Sequence, residues 1–268
     1  DSKGIALPPK TWADFERIVP ILRETGEGGR IERAAAAIGG SLRNVNRATD
    51  LLSLLMLQSG VRMVEKNTKR VSFAQEGIRP FSFYLKFANP AEPVYTWNQN
   101  LENSIDAFIA GKAAILFNYA HQLARIAEQN PFLRVGIAPM PQPQGAVYEV
   151  NYANYWGIGV SSTAKNPQAA ARFALGIATD PAVSKAYLAA THRPPALRSL
   201  IHEAQNDPIF GVFAKQALTA RSWLQPDTNV VEQALSKAIE AVLTSRLSLE
   251  KALGEAEAEI APLMERLK

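Results

Sequence analysis

Apolar positions recur at helical spacing along most of this chain, and short continuous apolar runs interrupt them. Phe15, Ile18, Val19 and Leu22 form the first stripe, with Thr11 ahead of it as N-cap and Asp14 completing a near-capping box. Gly26 to Gly29 ends that helix. Ile31 to Ile38 is a candidate strand despite its alanines, and Ala48 to Gln58 reads as a buried helix closed by Gly60. Phe81 to Ala88 and Leu101 to Ala110 are amphipathic helices, joined by the proline-bearing stretch Asn89 to Asn98 and stopped by Gly111. Ala113 to Phe117 and Val135 to Ala138 are apolar strands flanking a short helix at Gln122 to Glu128, a strand-helix-strand rhythm.

After the loop Met140 to Gly145, Val147 to Val160 forms an aromatic strand region, and everything beyond is helical. Asn166-Pro167 and Asp180-Pro181 each supply an N-cap followed by proline at the first helical position. Further helices follow at Leu197 to Ala204, Phe210 to Ala220, Asn229 to Thr244 and after Ser248, with breakers at His192 to Pro195 and Gln225 to Asp227. From Ser161 to Lys268 no convincing strand appears, although the helices carry apolar faces that need something to pack on.

Composition narrows the function. The 268 residues are 47% hydrophobic, enough for a sizeable core, and no apolar run reaches the roughly 20 residues of a membrane span. The N-terminal residues show no secretion signal within the chain. The net charge of +4 is dispersed among acidic residues, with only Lys66, Lys69 and Arg70 clustered, so no nucleic-acid footprint is expected. The absence of cysteine removes disulfides, thiolate nucleophiles and cysteine metal sites. His121, His192 and His202 have no metal-ligand spacing, so no metal is expected. There is no nucleophile elbow and no phosphate-binding loop, and Gly157-Ile-Gly159 lacks the third glycine of the dinucleotide fingerprint. No catalytic residue, carboxylate pair or cofactor is predicted.

What remains is chemistry for holding a ligand. Asn151, Tyr152, Asn154, Tyr155 and Trp156 interleave flat rings with amides beside a strand, and such rings stack on the apolar faces of small polar ligands. Packing within the strand is the competing account, for Trp156 above all. Trp223 either stacks on ligand or plugs a chain crossing, whereas Trp12 and Trp97 read as core.

Several segments carry a family resemblance in order. Leu7-Pro-Pro-Lys-Thr-Trp12, Ala107-Phe-Ile-Ala-Gly-Lys-Ala-Ala-Ile-Leu-Phe117, Arg134-Val-Gly-Ile-Ala-Pro-Met-Pro-Gln142 and Tyr155-Trp-Gly-Ile-Gly-Val, continuing to Ala170, resemble successive parts of the extracellular solute-binding proteins of bacterial ABC importers. The similarity is to their sugar-binding group, which includes maltose-binding protein, and the tail Ser248 to Leu253 fits it.

The resemblance implies an α/β periplasmic-binding-protein type II fold, here a second lobe plus the helical remainder of the first, the N-terminal part of which is absent. It assigns residues 1–157 and 221–268 to the second lobe, and 158–220 to the first-lobe remainder and hinge crossings. It places Asn118 and Tyr119 at a strand end facing the cleft, and Asn44, Asn46 and Arg47 in a loop that brings contacts to it; turn formation or helix capping is the alternative, favoured for Asp50. The implied role is an exported, non-enzymatic receptor for a sugar or other small polar solute, delivered to ABC permease subunits from the periplasm or a lipid-anchored position. Self-association through the incomplete lobe is a further expected contact. A shortened relative serving as an interaction or scaffold module is the rival reading, and a sugar-active enzyme the third.

Overall fold

The computed structural model describes residues 3–191 and 193–265; His192, one of the breaker residues, lies outside them. α1 (Trp12–Leu22) starts with the complete capping box read from the sequence: Thr11 Oγ1 accepts from the Asp14 amide and the Asp14 carboxylate accepts from the Thr11 amide, both at 3.0 Å. α1 buries Trp12, Phe15 and Val19. It ends before the glycines, because Glu24–Thr25 is a short strand, β1, antiparallel to β2 (Ile31–Ala36). β2 in turn pairs in parallel with β3 (Ala113–Ile115), with Ala34 opposite Ala113 and Ala36 opposite Ile115.

The long crossover between β2 and β3 supplies most of the core. α2 (Ala48–Gln58) buries eight of its residues, from Ala48 to Met56, and packs on α3 (Ile78–Leu85). Fully buried Phe73, Phe81, Tyr84 and Trp97 surround it, each worth about 1.5–3 kcal/mol by burial. Trp12 also lies inside, edge-on to Phe15 and Phe83. Thr96 Oγ1, buried, accepts the Ala35 amide at 2.7 Å and so stands in for a ladder partner on β2. Gly39 has φ +92°, and a Cβ there would lie 2.8 Å from the Ala88 amide nitrogen; only glycine lets the chain leave β2 so close to the end of α3.

α4 (Ser104–Ile109) is shorter than the sequence suggests, because Asn103 caps it through a bond from the Ile105 amide. α5 (Gln122–Gln129) follows as expected. Residues 134–139, predicted to hold a strand, make no backbone hydrogen bond among the described residues, so the apolar run Val135 to Ala138 has no ladder to join. The aromatic strand region is likewise reduced to β4 (Asn151–Tyr152), and residues 154–160 have no backbone partner among the described residues. Gly157 and Gly159 weaken any strand there. β4 pairs in parallel with β5 (Ala220–Arg221), a strand where the sequence pattern continued a helix. That helix, α9 (Gly211–Ala217), stops early.

α6 (Pro167–Thr179) and α7 (Pro181–Thr191) begin at their predicted caps, yet neither buries a residue. Phe173, Leu175, Val183 and Tyr187 are exposed, the uncovered apolar face that the excess of helices foreshadows. α8 (Arg198–Ala204) buries Leu200 and Ile201 and packs on α9. The main core draws no described residue from 153–222, but includes α10 (Thr228–Leu243) and α11 (Leu249–Glu265), which return to pack on each other.

Candidate binding site

The carboxyl ends of β2 and β3 lead into the loop before α2 and the turn at Asn118 to His121, the position where parallel strands commonly present ligand contacts. In the turn, Asn118 Nδ2 donates to Asn46 Oδ1 at 2.9 Å, and Asn118 Oδ1 accepts the Tyr119 amide. Tyr119 OH donates to Asp50 Oδ2 at 2.7 Å. The Arg47 guanidinium lies 3.7 Å from Asp50 Oδ2, 3.4 Å from Glu232 Oε1 on α10 and 5.7 Å from the centre of the Tyr119 ring. His121 stacks on Tyr119 at 6.0 Å and 18°.

Tyr152 of β4 and the chain after β5 form an adjoining wall. Gln225 Nε2 donates to Tyr152 OH at 2.9 Å, and Trp223 Nε1 points to Ser53 Oγ on α2 at 3.4 Å, its ring edge-on to Phe73. Asn46, Arg47, Asn118, Tyr119, Tyr152 and Trp223 therefore come together from four separate stretches of chain.

Burial pushes the Asp50 carboxyl up, against the opposing pulls of the Tyr119 hydroxyl and the Arg47 charge. Burial likewise raises Glu232, with the Asp50 charge adding to it and Arg47 opposing. The Tyr152 hydroxyl is pushed up to about 12 by burial and by Asp50, and the Tyr119 hydroxyl rises for the same reasons, so both phenols stay protonated donors. His121 is lowered by burial and by the nearby Arg193 and Arg47 charges, which favours its neutral ring. The result is a half-exposed cluster of rings, amides, two carboxylates and one guanidinium whose Nε is buried without a hydrogen-bond partner among the described residues.

Other expected residues lie elsewhere. Asn44 is buried and spent on the fold: its amide donates to Asn98 O and Leu101 O, and its oxygen accepts from Trp97 Nε1. Asn151 is also buried and donates to Thr219 Oγ1 at 2.8 Å. Asn154, Tyr155 and Trp156 stand in solvent, Tyr155 73% and Trp156 84% exposed, and no described contact brings them to the cluster. Asp50 does not cap α2 with its side chain; the residue before the helix is Arg47, in the left-handed region at φ 62° without a side-chain cap bond. Asp50 and Glu232, carboxylates that no sequence motif brings together, share Arg47. Periodicity gave no hint of this, because the Arg47 to Glu232 contact spans 185 positions.

Two hollows lie away from the cluster. One of about 330 Å³ is lined by Trp12, Gln58 and Phe83, and one of about 540 Å³ by Arg30, Trp97 and Lys112. Several of their polar groups are already paired, Gln58 with Trp12 and Lys112 with Glu102. The convergence of rings and hydrogen-bonding groups favours the open cluster over either hollow. Among the described residues no group of three or more acidic, histidine or cysteine side chains is placed to hold a metal ion, and no helix is long and apolar enough to cross a membrane.

Residues 2–212 match the bacterial extracellular solute-binding protein family. The chain belongs to that family. No curated relative matches this solute-binding protein. Solved structures share its fold: CpMnBP1 with mannobiose bound, at 21% identity and TM-score 0.68 over 97% of this chain and 66% of that one; a cyclo/maltodextrin-binding protein complexed with maltotetraose, at 17% and 0.72 over 100% and 66%; and the sugar-binding protein MalE of Xanthomonas citri, at 17% and 0.70 over 99% and 66%. This solute-binding protein thus has the periplasmic sugar-binding fold and spans about two thirds of the length of these structures. The family is one of binding proteins.

Proposed function

We propose that this protein is the substrate-binding component of an ABC importer, taking a sugar or oligosaccharide in an interlobe cleft and delivering it to permease subunits from outside the cytoplasm, in the periplasm or lipid-anchored. The observation that carries this reading is the Arg47, Asp50, Tyr119 and Tyr152 cluster, with Asn46, Asn118 and Trp223 around it, in a member of a solute-binding family. Its amides and charged groups match hydroxyls, and its rings offer faces to stack on a pyranose. Asp50 and Glu232 both hold the guanidinium, a positioning arrangement that supports binding over hydrolysis.

In this reading residues 1–157 and 221–268 form one lobe and 158–220 a separate unit with the crossings, a division supported by the main core drawing no described residue from 153–222. The exposed faces of α6 and α7 then pack on further polypeptide, either a completing part of the lobe or a second copy. The scaffold alternative draws on the same exposed faces.

Titration calorimetry with mannobiose and maltotriose tests the proposal. Binding is expected and is weakened at least about tenfold by Tyr119→Ala, the loss of roughly 1.4 kcal/mol. A folded wild-type chain that gives no heat with a broad glycan panel at millimolar concentration overturns it, and a Trp156→Ala arm decides whether the exposed run takes part.

A further inference from the structure

Arg47 holds a position that helix geometry does not ask for. Left-handed backbone is uncommon in residues other than glycine, yet Arg47 adopts φ 62° and ψ 25° directly before α2. From there its guanidinium reaches Asp50 at 3.7 Å on the first turn of α2 and Glu232 at 3.4 Å on α10, and lies against the Tyr119 ring. Tyr119, on the turn after β3, donates to Asp50 at 2.7 Å. One cation therefore ties together α2, α10 and the turn that carries the central ring of the site. The titratable and charged groups that face this contact are Asp50 and Arg47 from α2 and its cap, Glu232 from α10, Tyr119 and His121 from the turn, Tyr152 from β4, and Arg193.

We propose that Arg47 is a proton-sensitive clasp on the binding site: it positions Asp50 and Tyr119 for ligand while both carboxylates are ionised, and loosens when either takes up a proton. This rests on the reading of the cluster as the ligand site. The neighbourhood favours such a response. Burial makes both carboxyls take up protons above the usual carboxylate range, and each proton removes one of the two anions that hold the guanidinium. Protonation of His121 acts in the same sense, adding a third positive charge beside Arg47 and Arg193. Ligand affinity then falls with acid, by up to about tenfold per pH unit for each proton taken up as ligand leaves.

Two measurements on the full chain test this separately from the sugar reading. The first is a carbon-13 carboxyl titration by NMR without ligand, from pH 7.5 to 4, on wild type, Glu232→Gln and Arg47→Met. The midpoint of Asp50 is expected to move down in Glu232→Gln, which removes a like charge, and up in Arg47→Met, which removes the counter-charge. The second is calorimetry with mannobiose and maltotriose at pH 7.5, 6, 5 and 4. Wild-type affinity falls across this series, Glu232→Gln displaces the fall to lower pH, and Arg47→Lys retains more affinity than Arg47→Met. An Asp50 midpoint that stays put in both variants overturns the clasp, as does sugar affinity equal at pH 7.5 and 4. Coupled midpoints in a chain that binds neither sugar at any pH support the clasp and overturn the sugar reading. Glu232→Gln keeps the test decisive if Arg47→Met does not fold.

Discussion

Asp50→Asn should leave the protein at least as stable as wild type at pH 7.5, while Tyr119→Phe should weaken it by about 1.5–3 kcal/mol. The Asp50 side chain is only 14% exposed and its carboxyl is raised by burial in spite of the Tyr119 hydroxyl and Arg47. A carboxyl raised on folding contributes stability that is fully present below its unfolded midpoint and is lost as pH climbs through the folded one. Above both, each pH unit between the midpoints costs the folded state about 1.4 kcal/mol. Asn removes that cost and keeps an acceptor for Tyr119 OH.

Tyr119→Phe has the opposite consequence, because it strips the 2.7 Å donor from a buried charge and so costs about 1.5–3 kcal/mol. In the Asp50→Asn background the same change removes only a neutral bond and costs about 1 kcal/mol, which leaves a coupling of the order of 1 kcal/mol. Urea unfolding followed by circular dichroism on the four proteins at pH 7.5 and pH 5 measures all of this. Towards pH 5 the folded wild type binds its proton ahead of the unfolded chain, so any advantage of Asp50→Asn should shrink. A loss of more than about 2 kcal/mol in Asp50→Asn at pH 7.5, or an advantage that grows on acidification, would refute the reasoning.

Thr96→Val should cost about 1–3 kcal/mol in the same assay by leaving the buried Ala35 amide without its 2.7 Å acceptor, and Thr96→Ser should restore most of it. Gly39→Ala forces a Cβ to within 2.8 Å of the Ala88 amide nitrogen at φ +92°, so a melting experiment should show a loss of about 2 kcal/mol or more. Phe173→Ser combined with Tyr187→Ser should change the main unfolding transition by no more than about 0.5 kcal/mol while reducing binding of an apolar dye to the folded protein; a large drop in stability would mean that these helices are packed on the core.

Local signals proved readable where local chemistry decides the outcome. The capping box of α1, the Asn and Asp caps of α6 and α7, and the buried run of α2 were all visible in the sequence, because propensity, capping and burial act together there. Strands needed more. Val135 to Ala138 and Tyr155 to Val160 have strand composition, but a strand exists only where a neighbour accepts its backbone bonds, and none is present among the described residues. The candidate site divides in the same way. Asn118 and Tyr119 were singled out by the family resemblance, which places them at a strand end, and the Tyr152 ring by its aromatic setting. Asn44 looked equally available, yet the fold consumes its amide on Asn98, Leu101 and Trp97. Asp50 and Glu232 were invisible as a pair, since Arg47 joins them only through the packing of α2 on α10.

The two walls of the cluster rest on supports of different strength. Arg47 and Asp50 belong to the start of α2, the most thoroughly buried helix of the core, and Tyr119 is bonded to Asp50. Tyr152, Trp223 and Gln225 stand where the chain leaves and re-enters that core, and the backbone link there is a two-residue ladder, Asn151 with Ala220 and Tyr152 with Arg221. That ladder has few backbone bonds, and the side chains of Val150, Tyr152 and Trp223, packed on the core, supply the rest of its support. A displacement of 153–219 is therefore felt at Tyr152 and Gln225, which hydrogen-bond each other, and at His121, which senses the Arg193 charge. The charged groups are fixed on α2 and the Tyr152 and Trp223 rings pack on the same core, so a solute touching both would meet two supported walls, with only the short β4–β5 ladder linking them to residues 153–219.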